Sequence, residues 1–179
     1  INKLEESLIN YTATAIEQCQ DTVYRMANIA KDNVLRAISL LEEYDFEKAT
    51  LIQEKEKLLD KYEDKLGTYI IKISTGDLNA NQQDIITELL NSIGDLERLG
   101  DHAVNLSEAA TEIHEKQLKF SDIALEELNI LTKAVIEILD ITIDVFCNNN
   151  YEKAYKVEPL EEVLDTLCKE LKVRHANRL

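Results

Sequence analysis

Four Glu-x-x-x-Asp pairs occur in this chain: Glu17–Asp21, Glu56–Asp60, Glu97–Asp101 and Glu161–Asp165. In a helix this spacing stacks two carboxylates on one face, one turn apart. Like charges so placed repel by roughly 0.2–0.5 kcal/mol per exposed pair. A cation held between such pairs on facing helices reverses the sign. Carboxylate oxygens are hard ligands that suit magnesium, calcium, manganese or iron, and zinc less specifically. A chain this acidic supplies roughly one or two such pairs by chance, and most acidic pairs merely solvate a helix face. Position must therefore decide which pairs carry chemistry.

Position is informative because the chain repeats. Shifted by 105 residues, Phe46-Glu47-Lys48-Ala49 falls on Tyr151-Glu152-Lys153-Ala154, Glu56 on Glu161, Leu59 on Leu164, Asp60 on Asp165 and Leu66 on Leu171. Across this window seven of 21 positions are identical. The preceding segment keeps phase too, with Val23 on Leu128, Met26 on Leu131, Val34 on Leu139, Ile38 on Ile143 and Leu41 on Phe146. A duplicated helix-helix-helix unit accounts for this. Glu17–Asp21 has no such counterpart, since Asp122 and Glu126 stand there in reversed order. It reads as surface.

The elements that must hold these pairs are helices. Apolar residues recur at steps of three and four throughout, and the chain has only 4 Gly and 1 Pro,. A first helix is expected from about Lys3 to Glu43, with Val23, Met26, Ala27, Ala30, Val34, Ala37, Ile38 and Leu41 on one face. Asp45 reads as the cap of a second, whose buried face is Leu51, Leu58, Leu59, Tyr62, Leu66, Tyr69 and Ile73. Thr75-Gly76 ends it, and residues 77–81 form a loop. A third helix runs from about Gln82 to Gln117, striped by Ile85, Leu89, Leu96, Leu99, Ala103, Leu106, Ala110 and Ile113. Ser121 caps a fourth that ends near Asn148. A fifth begins near Tyr151, and Pro159 either kinks it or opens a new helix in its first turn. Such long helices suit an extended all-α bundle with near-parallel packing. Repeat one spans about 1–118 and repeat two about 119–179, which lacks its last helix; the partner of Glu161–Asp165 would follow Leu179. The start at Ile1 rather than Met also reads as a piece of a longer protein.

The third helix carries the densest chemistry, Asp95-Leu96-Glu97-Arg98-Leu99-Gly100-Asp101-His102-Ala103. Gly100 in mid-helix costs about 1 kcal/mol against alanine, so a close approach is expected there, by a neighbouring helix or at a metal site. Arg98 and His102 read as flanking residues, with His102 a packed, hydrogen-bonded histidine rather than a ligand. His114 and His175 carry no usable signal.

The net charge is −15, from 35 acids against 20 bases. Nucleic acid and anionic membrane surfaces are poor partners for such a chain, and cations are natural ones. Cys19, Cys147 and Cys168 are too few and too scattered for a disulfide framework or a thiolate metal site, which fits a reducing cytosol. No apolar run approaches the ~20 residues of a membrane span.

The segment Asp95-Leu96-Glu97-Arg98-Leu99-Gly100-Asp101-His102-Ala103-Val104-Asn105-Leu106 resembles the third-helix signature of the PhoU family of phosphate-uptake regulators. Glu56-x-x-x-Asp60 and Glu161-x-x-x-Asp165 are similar to its second-helix signatures, and the duplicated unit resembles its pseudo-symmetric six-helix bundle. The resemblance covers nearly the whole chain. It implies metal ions (iron, zinc, manganese or magnesium) on Glu56, Asp60, Glu97, Asp101, Glu161 and Asp165; phosphate held through the metal is a separate expectation about mechanism. It also implies a non-enzymatic role in controlling phosphate uptake. At a finer level, Ala15-Ile16-Glu17-Gln18, Arg25-Met26-Ala27 and residues 173–179 look like the PhoU-type domain at the C-terminus of bacterial sodium-phosphate cotransporters. That implies a cytoplasmic domain at the inner face of the membrane, not inserted in it, with the transporter's membrane domain as partner. The incomplete second repeat leaves an apolar groove that makes a homodimer an expectation as well.

Two other classes compete. A carboxylate-bridged metal enzyme of the ferritin-like kind uses Glu-x-x-His, which occurs nowhere in this chain. Nor is there a nucleophile–base constellation or a Gly-rich phosphate loop. A metal-free helical scaffold that binds a protein partner through its groove is the other.

Overall fold

The computed structural model describes Leu4 and residues 11–178. Within them it is all-α: α1 (Thr12–Glu42), α2 (Phe46–Ser74), α3 (Ala80–Glu115), α4 (Asp122–Asn148), α5 (Tyr151–Ala154) and α6 (Val157–Arg178). The expected start of the first helix near Lys3 lies outside the described residues. The chain divides into two compact units that part at Ala110 and Thr111.

In the first unit, α1 buries Val23, Met26, Ala27, Ala30, Val34, Ala37 and Ile38, as its periodicity predicts, and Leu40 in place of Leu41. Its many alanines let α2 lie close. Asn33, fully buried, donates from Nδ2 to the carbonyl of Ile52 at 3.1 Å and accepts from Arg36. Asp45 caps α2, accepting from the amides of Glu47 and Lys48 at 2.8 and 3.2 Å. On α2 the core positions are Ile52, Leu59, Tyr62, Leu66, Tyr69, Ile70 and Ile73; Leu51 and Leu58 are only half-buried. The stripe is rotated toward Ile52 because Asn33 anchors the backbone there.

Helix α3 begins two residues earlier than its apolar stripe suggests. Asn79 and Gln82 form a reciprocal capping box: Asn79 Oδ1 accepts from the Gln82 amide and Gln82 Oε1 from the Asn79 amide, both at 3.0 Å,. Its buried face is Ile86, Leu89, Ile93, Leu96, Gly100, Ala103, Ser107 and Ala110; the expected Ile85, Leu99, Leu106 and Ile113 flank it half-buried. The helix ends in a Schellman turn. The Leu118 amide reaches the Ile113 carbonyl at 3.0 Å, with Gln117 left-handed at φ 55,.

In the second unit, Ser121 caps α4 through the amide of Ala124 at 3.3 Å, and a left-handed Asn149 ends it. Asp144 ties the turn that follows, accepting from Lys153 Nζ at 2.6 Å, Asn148 at 2.7 Å and Asn150 at 3.1 Å. The expected fifth helix is two helices. Pro159 lacks an N–H, and its ring would clash with the carbonyl of Tyr155, so a helix from Tyr151 cannot run through it. The chain turns at Tyr155-Lys156 and restarts as α6, with Pro159 in the first turn. Arg178 forks onto Glu127 of α4 at 3.0 and 2.6 Å, fixing α6 against it,.

The two repeats are buried unequally. Met26 and Leu59 are wholly buried, whereas their counterparts Leu131 and Leu164 are half-buried. Among the described residues of α4, α5 and α6 only Leu139 and Ile143 are buried. In the first unit α3 meets α2 at Leu59 and at Gly67, through Gly100 and Ile93.

Candidate metal centre

Leu59 faces Gly100. A Cβ built on Gly100 would stand 2.6 Å from Leu59 Cδ1, so the glycine is what lets α3 approach α2 there,. About two turns along, the Ile93 Cδ1 atom lies 3.7 Å from where a Gly67 Cβ would be. Residue numbers rise on α2 as they fall on α3, so the helices are antiparallel. The acidic pairs bracket the contact symmetrically. Glu56 and Asp60 lie three residues before and one after Leu59; Glu97 and Asp101 lie three before and one after Gly100. The close approach at Gly100, expected from its mid-helix position, is thus made by a helix, and it brings the two pairs together.

The electrostatics follow. Glu56 and Glu97 are half-buried, while Asp60 and Asp101 are exposed. The Glu56 carboxyl is held above its ordinary value by partial burial first, then by the charges of Asp60 and Asp101 and a hydrogen bond with Asp60; Lys57 opposes. Glu97 is raised by partial burial and then by Asp101, Glu63, Asp60 and Glu56, every one a carboxylate. Five acids therefore share one field. Glu63 was not among the candidates from sequence, although Glu56, Asp60 and Glu63 fall at i, i+4 and i+7, one continuous helix face. Under the repeat shift its place is taken by Cys168, which is half-buried.

The donor chemistry fits a hard cation: carboxylate oxygens from two helices, with a surplus of negative charge that a bound ion would neutralise. The side chains are not drawn in around a point, and among the described residues no three His, Cys, Asp or Glu form a set that could hold one ion. Mutual repulsion spreads like charges arranged in this way.

The other candidates are placed differently. Glu161 and Asp165 lie one turn apart on α6, both exposed, and Asp165 is 3.6 Å from Lys169 of its own helix. His102 is exposed, not packed as expected, because its position falls outside the contact stripe centred on Gly100. Arg98 does flank the site, 3.9 Å from Asp95 on the outer face. Cys19 is fully buried, and burial pushes its thiol up to about 12, which makes it a core residue rather than a ligand,. Among the described residues no helix is long and apolar enough to cross a membrane.

The sequence model of the PhoU domain matches residues 23–110, the stretch that holds both acidic pairs of α2 and α3. The chain is 29% identical over 163 residues to the phosphate-specific transport system accessory protein PhoU homolog of Clostridium acetobutylicum, covering 87% of this chain and 71% of that protein. It is 23% identical over 156 residues to the protein of the same name from Streptococcus pneumoniae, covering 84% of this chain and 68% of the relative. No solved structure matches the chain. The matched domain coincides with the α2–α3 contact, and the similarity to these relatives extends well beyond it; over this stretch the chain is similar to proteins of the PhoU family.

Proposed function

We propose that the chain is a cation-binding regulatory domain of phosphate uptake, acting on a phosphate transporter rather than catalysing a reaction. The observation that carries this reading is the convergence of Glu56, Asp60, Glu97 and Asp101 about the Leu59–Gly100 contact, inside the matched PhoU domain. The relatives named as accessory proteins of a phosphate-specific transport system supply the process. These four carboxylates, with Glu63 beside them, would hold iron, zinc, manganese or magnesium. The bound cation supplies charge neutralisation and a Lewis-acidic position for a phosphate oxygen.

Burial and crowding raise Glu56 and Glu97, so the cation-free face is electrostatically strained. Relieving that strain favours close α2–α3 packing around Leu59. A ligand that binds one helix spacing better than another shifts the population between them, and this is all a regulatory domain needs. Glu161 and Asp165 offer a second pair on α6, to be completed by carboxylates from another helix. In the fuller form of the proposal the domain is carried by a sodium-phosphate cotransporter, at the cytosolic face of the inner membrane.

The test is phosphate uptake in a bacterial strain lacking its own PhoU homologue. Expression of the chain is expected to restore regulated uptake, and the Glu97→Ala/Asp101→Ala variant to fail although it folds. Equal restoration by both would reject the role of the cluster. No change in uptake with either would reject the regulatory reading and favour a helical scaffold.

A further inference from the structure

A second feature of the α2–α3 seam lies next to the acids and is not explained by them. A groove of about 330 Å³ runs between the helices, lined by Glu63, Asp64, Gly67, Ile71, Leu90 and Gly94, with buried Ile93 as its floor. Gly94 sits in the interior of α3, where glycine costs about 1 kcal/mol against alanine. Unlike Gly100, it faces nothing: an added Cβ would meet no atom within 4 Å. Across the groove, a Cβ on Gly67 would make only an ordinary contact of 3.7 Å with Ile93. The chain's own packing thus requires neither glycine. Two large aliphatic side chains stand open on the rim, Ile71 at 57% and Leu90 at 41% exposed. The ionisable residues of the lining are both acids, and none is basic.

We propose that this groove docks a basic amphipathic helix of a protein partner. Its backbone would approach over Gly67 and Gly94, an aliphatic or aromatic residue would fill the notch against Ile71 and Leu90, and flanking Lys or Arg would meet Glu63 and Asp64. Charge complementarity selects this occupant. A second copy of this chain, at net charge −15, and an anionic lipid surface are both repelled by an acidic rim. Glycine-lined helix faces permit the close backbone approach that this mode of recognition uses. The groove shares Glu63 with the acidic cluster, but Asp64, Gly67, Ile71, Leu90 and Gly94 belong to it alone, and the inference does not need a cation to be bound.

The test uses the whole chain and a fluorescein-labelled leucine–lysine amphipathic helical peptide, read by fluorescence anisotropy at physiological ionic strength. A glutamate-for-lysine peptide is the control. Gly94→Leu fills the notch from a position with free space. It is expected to weaken binding by at least about tenfold, with helix content and melting unchanged or improved. Leu90→Ser is expected to act in the same direction, while Ile130→Ser on α4 leaves binding unaltered. Failure of the native chain to bind, equal binding by all variants, or equal binding of the glutamate peptide would each overturn the proposal. So would a native dimer that Gly94→Leu converts to monomer in light scattering, which would give the groove to a second copy.

Discussion

Leu59 and Gly100 touch so closely that a single methyl group on the glycine would stand 2.6 Å from Leu59 Cδ1. Each residue carries a carboxylate three positions before it and one after. The apolar contact and the acidic cluster are therefore one construction, and changing the first displaces the second.

Gly100→Ala is predicted to destabilise the protein. Overpacking a well-filled contact costs about 1–3 kcal/mol, against about 1 kcal/mol gained in helix propensity. In a Leu59→Ala background the obstructing atom is gone, so the same substitution is predicted to stabilise. Gly94→Ala, with open space around it, is predicted to stabilise in either background by about 1 kcal/mol. Urea denaturation of the double-mutant cycle checks all three, and additivity of Gly100→Ala with Leu59→Ala would contradict the contact.

The cation-free protein should be more stable in mild acid than at neutrality as far as Glu56 and Glu97 are concerned. Both carboxyls are raised above the ordinary 4.5, by burial first and neighbouring carboxylates second. The native state therefore binds protons more tightly than the unfolded chain. The stabilisation is complete below about pH 4.5 and is lost as pH rises through the raised native values. Glu97→Gln is predicted to raise cation-free stability at pH 7 by about 0.2–0.5 kcal/mol per like-charge contact relieved. It should flatten this slope while weakening stabilisation by added cation. Melting curves from pH 4 to 8, with and without manganese, measure it.

Asp144 has the opposite sign. Lys153 first, then Asn148, hold its carboxyl down at about 2 from the ordinary 3.8. Its contribution is present above pH 3.8 and disappears as pH falls towards 2. Asp144→Asn is predicted to lower stability at neutral pH and to remove this part of the acid dependence. Acid titration followed by circular dichroism of the two proteins makes the comparison.

Gln117 occupies the left-handed position that ends α3, at φ 55. Glycine takes that conformation without a Cβ penalty, so Gln117→Gly is predicted to stabilise by about 1 kcal/mol. Thermal melting shows the outcome, and a loss would mean that the Gln117 side chain contributes more than its backbone costs.

Much of this was readable from local chemistry. Asp45 and Ser121 announce their helices because a cap acts over three residues, and the mid-helix cost of Gly100 points to its close contact, although Gly94 of the same helix meets nothing. What failed depended on neighbours. Ile52 rather than Leu51 enters the core because Asn33, 19 residues earlier, binds its carbonyl. The Asn79–Gln82 box was present in the sequence and set the start of α3, ahead of the apolar stripe. Glu63 joins the cluster only when α3 lies opposite, and His102 points away from a contact stripe whose rotation no single helix reveals. Glu161 and Asp165 are legible as a repeated motif, yet the environment that makes their counterparts a cluster is supplied by α3, not by α2 itself.

The most direct measurement is metal content per chain by plasma mass spectrometry, after incubation with iron, zinc, manganese and magnesium and removal of the excess. The native chain is compared with Glu97→Ala/Asp101→Ala. The account predicts bound metal in the native protein and its loss in the variant, with both equally helical. A native chain that stays empty, or a variant that retains the same metal, would contradict the claim that the carboxylates around Leu59 and Gly100 form a cation site.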